Sequence, residues 1–169
     1  MKRCPITYEP VRKGDYSERG LKLLNSQLRS LEPLGYSAEE QREQALQRVG
    51  KMSIQGVQFK LSAILKLKDG RFELVDRNGR CILKPPSNDF PQLPENEDLT
   101  MRMASAVGIE VPLHGMVYAR DRSLTYFIKR FNRVGRKRMP RGGLAQPPGG
   151  RAENTNGTAR EREAQVGGR

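Results

Sequence analysis

Thiols and imidazoles are scarce in this sequence. Among 169 residues there are two cysteines, Cys4 and Cys81, and one histidine, His114. Two thiols cannot close a metal cluster, and in Cys4-Pro5-Ile6-Thr7 a threonine stands where a Cys-x-x-Cys pair has its second thiol, so no metal site is expected. Cys81 lies in an apolar run and reads as a small core residue. Such sparse cysteine use suits a reducing, cytoplasmic setting. His114 precedes Gly115 with no serine or cysteine nucleophile motif in view. It reads as a turn residue, since a catalytic base needs a partner within reach. Met101, Met103 and Met116 read as core filling. Long apolar runs are missing as well. No stretch approaches the roughly twenty residues of a membrane helix, and none follows Lys2-Arg3 as a secretory signal would require, so no membrane partner is expected. Hydrophobic content is only 36%, and most β-branched and aromatic residues fall between 54 and 131. One modest core with polar flanks is the expectation.

Acidic residues are outnumbered, 19 against 31 basic, which leaves a formal net charge of +12. Five of those charges come from the last 36 residues, where eight basic residues face three acidic ones and no aromatic is present to stack a base. No helix-turn-helix or zinc-finger spacing accompanies the charge. Nonspecific attraction of nucleic acid through this tail is the form of binding the composition supports, and it fades with salt.

Residues 1–16 carry turn formers and charge and read as a loose arm. Ser17 can cap a helix to about Leu31, with Leu21, Leu24, Leu28 and Leu31 as its apolar stripe. Pro33 and Gly35 stop it. Ser37-Ala38-Glu39-Glu40 is a capping box that opens a second helix, reaching toward Val49 and ending at Gly50. From Val57 the period becomes two: Val57, Phe59, Leu61, Ala63, Leu65 and Leu67 alternate as in a strand. Lys68-Asp69-Gly70 is a turn, and Phe72, Leu74 and Val75 make a second strand. Asn78-Gly79 is a hairpin signal, and residues 81–84 are a third strand stopped by Pro85-Pro86. A helix spans about 95–107, opened by Pro94 and ended by Gly108. Residues 115–119 and 124–130 read as a final hairpin. The fold class is α+β: an antiparallel sheet of about five strands with one packed helix, preceded by two short helices. The expected segments are 1–50 (arm and helices), 51–133 (the sheet domain) and 134–169. The last has eight glycines and three prolines, cannot bury enough surface to offset its ordering entropy, and is expected to be disordered.

Phosphoryl transfer needs a cation on the phosphates and a counter-charge that aims it. Lys84 closes the third strand, and Glu97 lies thirteen residues on, at the start of the next helix. In isolation the same pattern could be a solvated strand-end lysine and an acid serving the helix dipole. The strand order around the pair favours the phosphate reading. Upstream, Gly56 would let backbone approach a ligand closely. Ser53, Gln55 and Gln58 could bond phosphate, and Lys60 could add charge. An ordinary helix-to-strand connection would use a glycine there too.

These residues resemble the HipA-type serine/threonine kinases of bacterial toxin–antitoxin systems. The resemblance covers about 50–133. It rests on Ser53-Ile54-Gln55-Gly56-Val57-Gln58-Phe59-Lys60-Leu61, Ile82-Leu83-Lys84-Pro85, Pro94-Glu95-Asn96-Glu97, Gly108-Ile109-Glu110-Val111-Pro112 and Lys129-Arg130-Phe131-Asn132-Arg133. The first 50 residues look most like the compact HipT branch, in which a separate small protein supplies the first subdomain. The resemblance implies a kinase small lobe that binds ATP, with Lys84 on the phosphates and Glu97 as its partner. Gly56, Val57 and Gln58 would belong to the phosphate-covering loop, with Lys60 beside it. Lys129 to Phe131 would form the hinge against the adenine, and Ser53 would be an autophosphorylation site. Gln55 takes the place of a second serine, and Asn132 that of a usual aspartate. Family partners are antitoxin-like proteins, and the substrates of the full-length family are aminoacyl-tRNA synthetases. The family's helical lobe, with its catalytic aspartate and asparagine and its metal-binding aspartate, has no counterpart after Arg138. A frameshift or truncation near Met139 is the expectation, with magnesium bound only if a catalytic lobe is supplied. The alternatives are a non-catalytic module that binds partners and a nonspecific basic nucleic-acid binder. Deleting residues 134–169 should abolish salt-sensitive binding in a filter or mobility assay and leave the lobe folded. Unchanged binding would exclude the tail as its source.

Overall fold

In the computed structural model, the described residues are 1–48 and 58–131, together with the backbone of two short strands at 133–134 and 137–138. The chain divides into two units, Met1–Met139 and Pro140–Arg169, and the second lies wholly outside the described residues. Two helices, α1 (Glu18–Leu24) and α2 (Ala38–Gln47), precede strands β1 (Leu61–Lys66), β2 (Arg71–Leu74) and β3 (Cys81–Lys84). Helix α3 (Leu93–Ala106) and strands β4 (His114–Tyr118) and β5 (Leu124–Lys129) follow. The five strands form one antiparallel sheet in the order β2-β1-β3-β5-β4. The fold is α+β. Strands β6 (Arg133–Val134) and β7 (Lys137–Arg138) pair antiparallel as a separate short ribbon. Disorder was expected from residue 134, so this ribbon departs from the sequence reading; the rest of that stretch lies outside the described residues.

Alternation along the strands sorts side chains onto two faces. Leu61, Ala63, Phe72, Cys81, Leu83, Val117 and Phe127 are buried in one cluster with Cys4, Ile6, Tyr16, Leu21, Leu28, Leu31, Leu34 and Ala45. The N-terminal segment is therefore a layer over one face of the sheet, and residues 1–16 are not the loose arm that their turn formers and charge suggest. Composition misleads here because three of the arm's few apolar groups, Cys4, Ile6 and Tyr16, are buried. Its polar groups are also bonded. Cys4 N–H donates to Glu9 O at 2.9 Å and Tyr8 N–H to Cys4 O at 2.8 Å. Asp15 is bonded to both Lys2 and Arg122, and Arg122 above all holds its carboxyl well below the usual carboxylate range.

The same segment covers the β4 edge, where unpaired backbone would otherwise be exposed. Met116 N–H donates to Pro5 O at 3.2 Å, Tyr118 N–H to the Tyr16 hydroxyl at 3.0 Å, and Leu34 N–H to Tyr118 O at 2.9 Å. Gly115 permits this approach, since a Cβ there would lie 3.1 Å from the Ile6 Cα and 3.1 Å from the Phe127 ring. At the far side of the sheet, Glu32 N–H donates to Gly70 O at 2.8 Å.

Two local expectations change. Helix α1 ends at Leu24, not near Leu31, because Asn25 leaves helical geometry (φ −163°, ψ 137°) and its side chain accepts from Gln27 N–H at 2.9 Å. An asparagine offering the backbone this alternative competes with helix continuation. Leu28, Leu31 and Leu34 are buried along the irregular run that follows. Asn78-Gly79 does not close a hairpin, since β2 and β3 both pair with β1 and not with each other. Asn78 is left-handed (φ 59°) as the chain crosses the end of β1. There a Cβ on residue 79 would lie 2.2 Å from Ser62 Oγ. The glycine serves a close crossing. By contrast, the capping box of α2 forms, with Ser37 and Glu40 bonding reciprocally. Truncating Leu31 to alanine should cost about 2–5 kcal/mol in denaturant unfolding, where a loose segment would lose well under 1 kcal/mol.

Candidate functional site

The opposite face of the sheet carries Lys84 and Tyr126, which are cross-strand partners in the β3–β5 ladder, and it receives α3. Pro94 sits in the first turn of α3, where its missing N–H costs nothing. From the next turn Glu97 reaches Lys84: Nζ and Oε2 are 2.5 Å apart. Both side chains are about one-fifth exposed, at 19% and 23%, so the pair is partly desolvated yet open to a ligand. Lys84 Nζ also lies 5.6 Å from the centre of the Tyr126 ring. Burial, followed by the charges of Glu97 and Asp98, raises the Tyr126 hydroxyl well above the ordinary tyrosine range, so this ring stays neutral under the ammonium.

Asp98, the next residue on α3, is completely buried (0% exposed). It accepts from the Tyr8 hydroxyl at 2.7 Å and from Arg102 Nε at 2.7 Å, and it lies 2.8 Å from His114 Nδ1. Arg102 in turn donates to Ile6 O at 2.7 Å and stacks on the Tyr8 ring at 3.8 Å. Burial and the Asp98 carboxylate raise the Tyr8 hydroxyl above its ordinary range. His114 is therefore the first residue of β4 with a carboxylate partner, not a turn residue. Only the Asp98/Arg102 spacing of four residues on a helix hinted at this cluster. The partners Tyr8 and Ile6 are ninety or more residues away in sequence, which no local pattern reveals. Met116 is buried as core filling requires, but Met103 is 62% exposed.

The remaining expected site residues fall in two groups. Ser53, Gly56 and Val57 lie outside the described residues. Gln58 and Lys60 lead into β1. Gln58 Nε2 is buried and finds no hydrogen-bond partner among the described residues, while Lys60 is exposed. Lys129 ends β5, and Phe131 beyond it is 83% exposed. Lys129 pairs with Cys81, three ladder positions from the Lys84–Tyr126 pair. By the alternation of the strand, the Lys129 side chain therefore lies on the sheet face of Cys81, opposite to that of Lys84. Among the described residues, no group of three or more histidine, cysteine or acidic side chains could hold a metal ion, and no helix is long and apolar enough to cross a membrane.

A strand lysine ion-paired to a glutamate of the following helix, on a five-stranded antiparallel sheet, is the arrangement of protein kinases, and the molecule is kinase-like. The chain belongs to the HipA-like C-terminal domain family, whose description matches residues 52–149. A Haemophilus influenzae (strain ATCC 51907 / DSM 11121 / KW20 / Rd) protein named "Putative kinase" is 35% identical over 141 residues, covering 79% of this chain and 40% of that protein. The chain thus spans about two-fifths of the length of this relative.

Cys81, opposite Lys129, is buried, and burial pushes its thiol up to about 11 from an ordinary 9.0. The folded state therefore favours the protonated thiol. Its contribution to stability is complete below pH 9 and is lost as pH rises toward 11. Denaturant titrations should show wild type losing stability relative to Cys81→Ala over that interval. A constant difference from pH 8 to 11 would contradict the burial effect.

Proposed function

We propose that this chain supplies the ATP-binding small lobe of a HipA-family serine/threonine kinase of a toxin–antitoxin system. The observation that carries the reading is the 2.5 Å contact between Lys84 and Glu97. Glu97 holds the ammonium over the position of the nucleotide phosphates, and Gly56, Val57 and Gln58 cover them with backbone and side-chain donors. Lys60 adds positive charge at the same end. Lys129 and Phe131 meet the adenine, Phe131 through its exposed ring. Ser53, in the covering loop, is the modified residue in this reading.

ATP supplies the transferable phosphoryl group; the lobe's own residues bind and orient it. The groups that orient the acceptor hydroxyl and hold magnesium belong, in this reading, to the part of the relative that this chain does not span. Transfer then requires a completing lobe, and the 169-residue chain alone binds nucleotide without turnover. An aminoacyl-tRNA synthetase as substrate and antitoxin-like proteins as partners follow from the family resemblance. A cytoplasmic location fits both.

Calorimetric titration with a non-hydrolysable ATP analogue tests the reading. One charge-assisted hydrogen bond contributes about 1.5–3 kcal/mol, and 1.4 kcal/mol is tenfold in affinity. Lys84→Met should therefore weaken binding by about tenfold or more. Glu97→Gln should weaken it less, since the ammonium remains but is no longer aimed. Equal affinity of wild type and Lys84→Met, or no binding by wild type, would overturn it.

A further inference from the structure

Helix α3 is held to the sheet in an unusual way. Of its fourteen residues only Pro94 and Asp98 are buried. Leu99 and Met103, and Val107 just beyond its end, are exposed. Its N-cap, Gln92, makes no side-chain capping bond. What fixes its middle is the buried Asp98 carboxylate, with donors from three places: Tyr8 in the N-terminal turn, Arg102 one helical turn on, and His114 opening β4. Glu97 precedes Asp98 by one residue, so any rotation or slide of this turn moves Glu97 relative to Lys84.

The N-terminal turn is built to present its tyrosine. Tyr8 has a left-handed backbone (φ 59°), which a bulky side chain adopts at a cost of about 1–3 kcal/mol and which persists only where surroundings enforce it. Here Tyr8 N–H donates to Cys4 O, Arg3 donates to Tyr8 O, and the Arg102 guanidinium covers the ring. Strain held in place by three separate contacts, at a residue whose hydroxyl ends on a buried carboxylate, points away from simple packing.

We propose that Tyr8, Asp98, Arg102 and His114 are positioning residues for the Lys84–Glu97 pair, so that the N-terminal turn sets the aim of the ammonium through α3. The consequence for nucleotide rests on the function proposed above; the positioning itself does not.

The test uses the full chain labelled with ¹⁵N-lysine. The Lys84 ammonium resonance, assigned by its loss in Lys84→Met, reports the ion pair without nucleotide. Tyr8→Phe, which keeps the ring and removes one hydrogen bond, and His114→Leu should shift this resonance toward its position in Glu97→Gln. His114→Asn, which keeps a donor near the Nδ1 position, should restore it. Ser37→Ala removes the α2 cap and lowers stability elsewhere, and it should leave the resonance in place. Tyr8→Phe should also weaken binding of the ATP analogue by about threefold to tenfold, a partial loss of one charge-assisted hydrogen bond. That effect should vanish in a Glu97→Gln background. An unmoved Lys84 resonance in folded Tyr8→Phe and His114→Leu would overturn the proposal, as would a shift of the same size in Ser37→Ala. A resonance that follows the cluster in a chain that binds no nucleotide would uphold the positioning and remove the nucleotide reading.

Discussion

The buried carboxylate of Asp98 is the constraint on which the arrangement of this fold turns. A helix normally docks by an apolar stripe, and burial of such a stripe is nondirectional: the helix can rotate or slide somewhat at little cost. In helix α3 the one fully buried apolar residue is Pro94, and Leu93, Met101 and Ala104 are only half-buried. Hydrogen bonds to an ionised group are directional and short, and a buried carboxylate without its donors would be several kcal/mol worse. An anchor of this kind tolerates few orientations. It therefore suits a helix whose neighbouring residue must meet an ammonium at 2.5 Å.

The anchor depends in turn on the N-terminal layer. Tyr8 and Ile6 reach α3 only because the turn at residues 4–9 is seated against β4, by Pro5 accepting from Met116 and by Ile6 packing where Gly115 has no side chain. That seating closes the sheet edge, and the same segment continues under the sheet through Leu28, Leu31 and Leu34. One stretch of chain thus does three jobs that are energetically coupled. It buries the lower sheet face, satisfies the edge, and delivers a donor to the helix on the other side. Loss of the first two would loosen the third, although no residue of the turn touches Lys84 among the described contacts.

The parts legible in the sequence are those specified locally. Period-two alternation marked the strands, Pro85-Pro86 and Pro94 bounded the third strand and the helix, and the Ser37/Glu40 box announced α2. Lys84 and Glu97 stood out because a strand end and a helix start thirteen residues apart bring the two groups together. The parts that were not legible depend on long-range contacts or on competition between local options. Asn25 reads equally as a helix residue or as a turn former, and its bond to Gln27 decides for the turn. Asn78-Gly79 has hairpin chemistry, but Gly79 is used for clearance against Ser62. The arm looked loose because its apolar residues are few, and a count cannot show that Cys4, Ile6 and Tyr16 are inside. His114 looked isolated because its partner lies sixteen residues earlier on a different element.

The adjacency of Glu97 and Asp98 carries a further physical lesson. Successive residues on a helix point about 100° apart, so two neighbouring acids necessarily serve different surroundings. The longer one spans the gap to a half-open lysine at the face of the sheet. The shorter one is turned inward, where Tyr8, Arg102 and His114 meet its oxygens. A shift of one residue in one direction would bring Asp98 to Lys84, too short to reach by one methylene, and Leu99 to the buried donors; in the other it would bring Asn96 to Lys84 and Glu97 among donors spaced for a shorter side chain. Either shift costs energy at both places. The pair of acids therefore fixes the rotation of α3 more sharply than either would alone, and that rotation determines whether the ammonium of Lys84 is aimed or merely present.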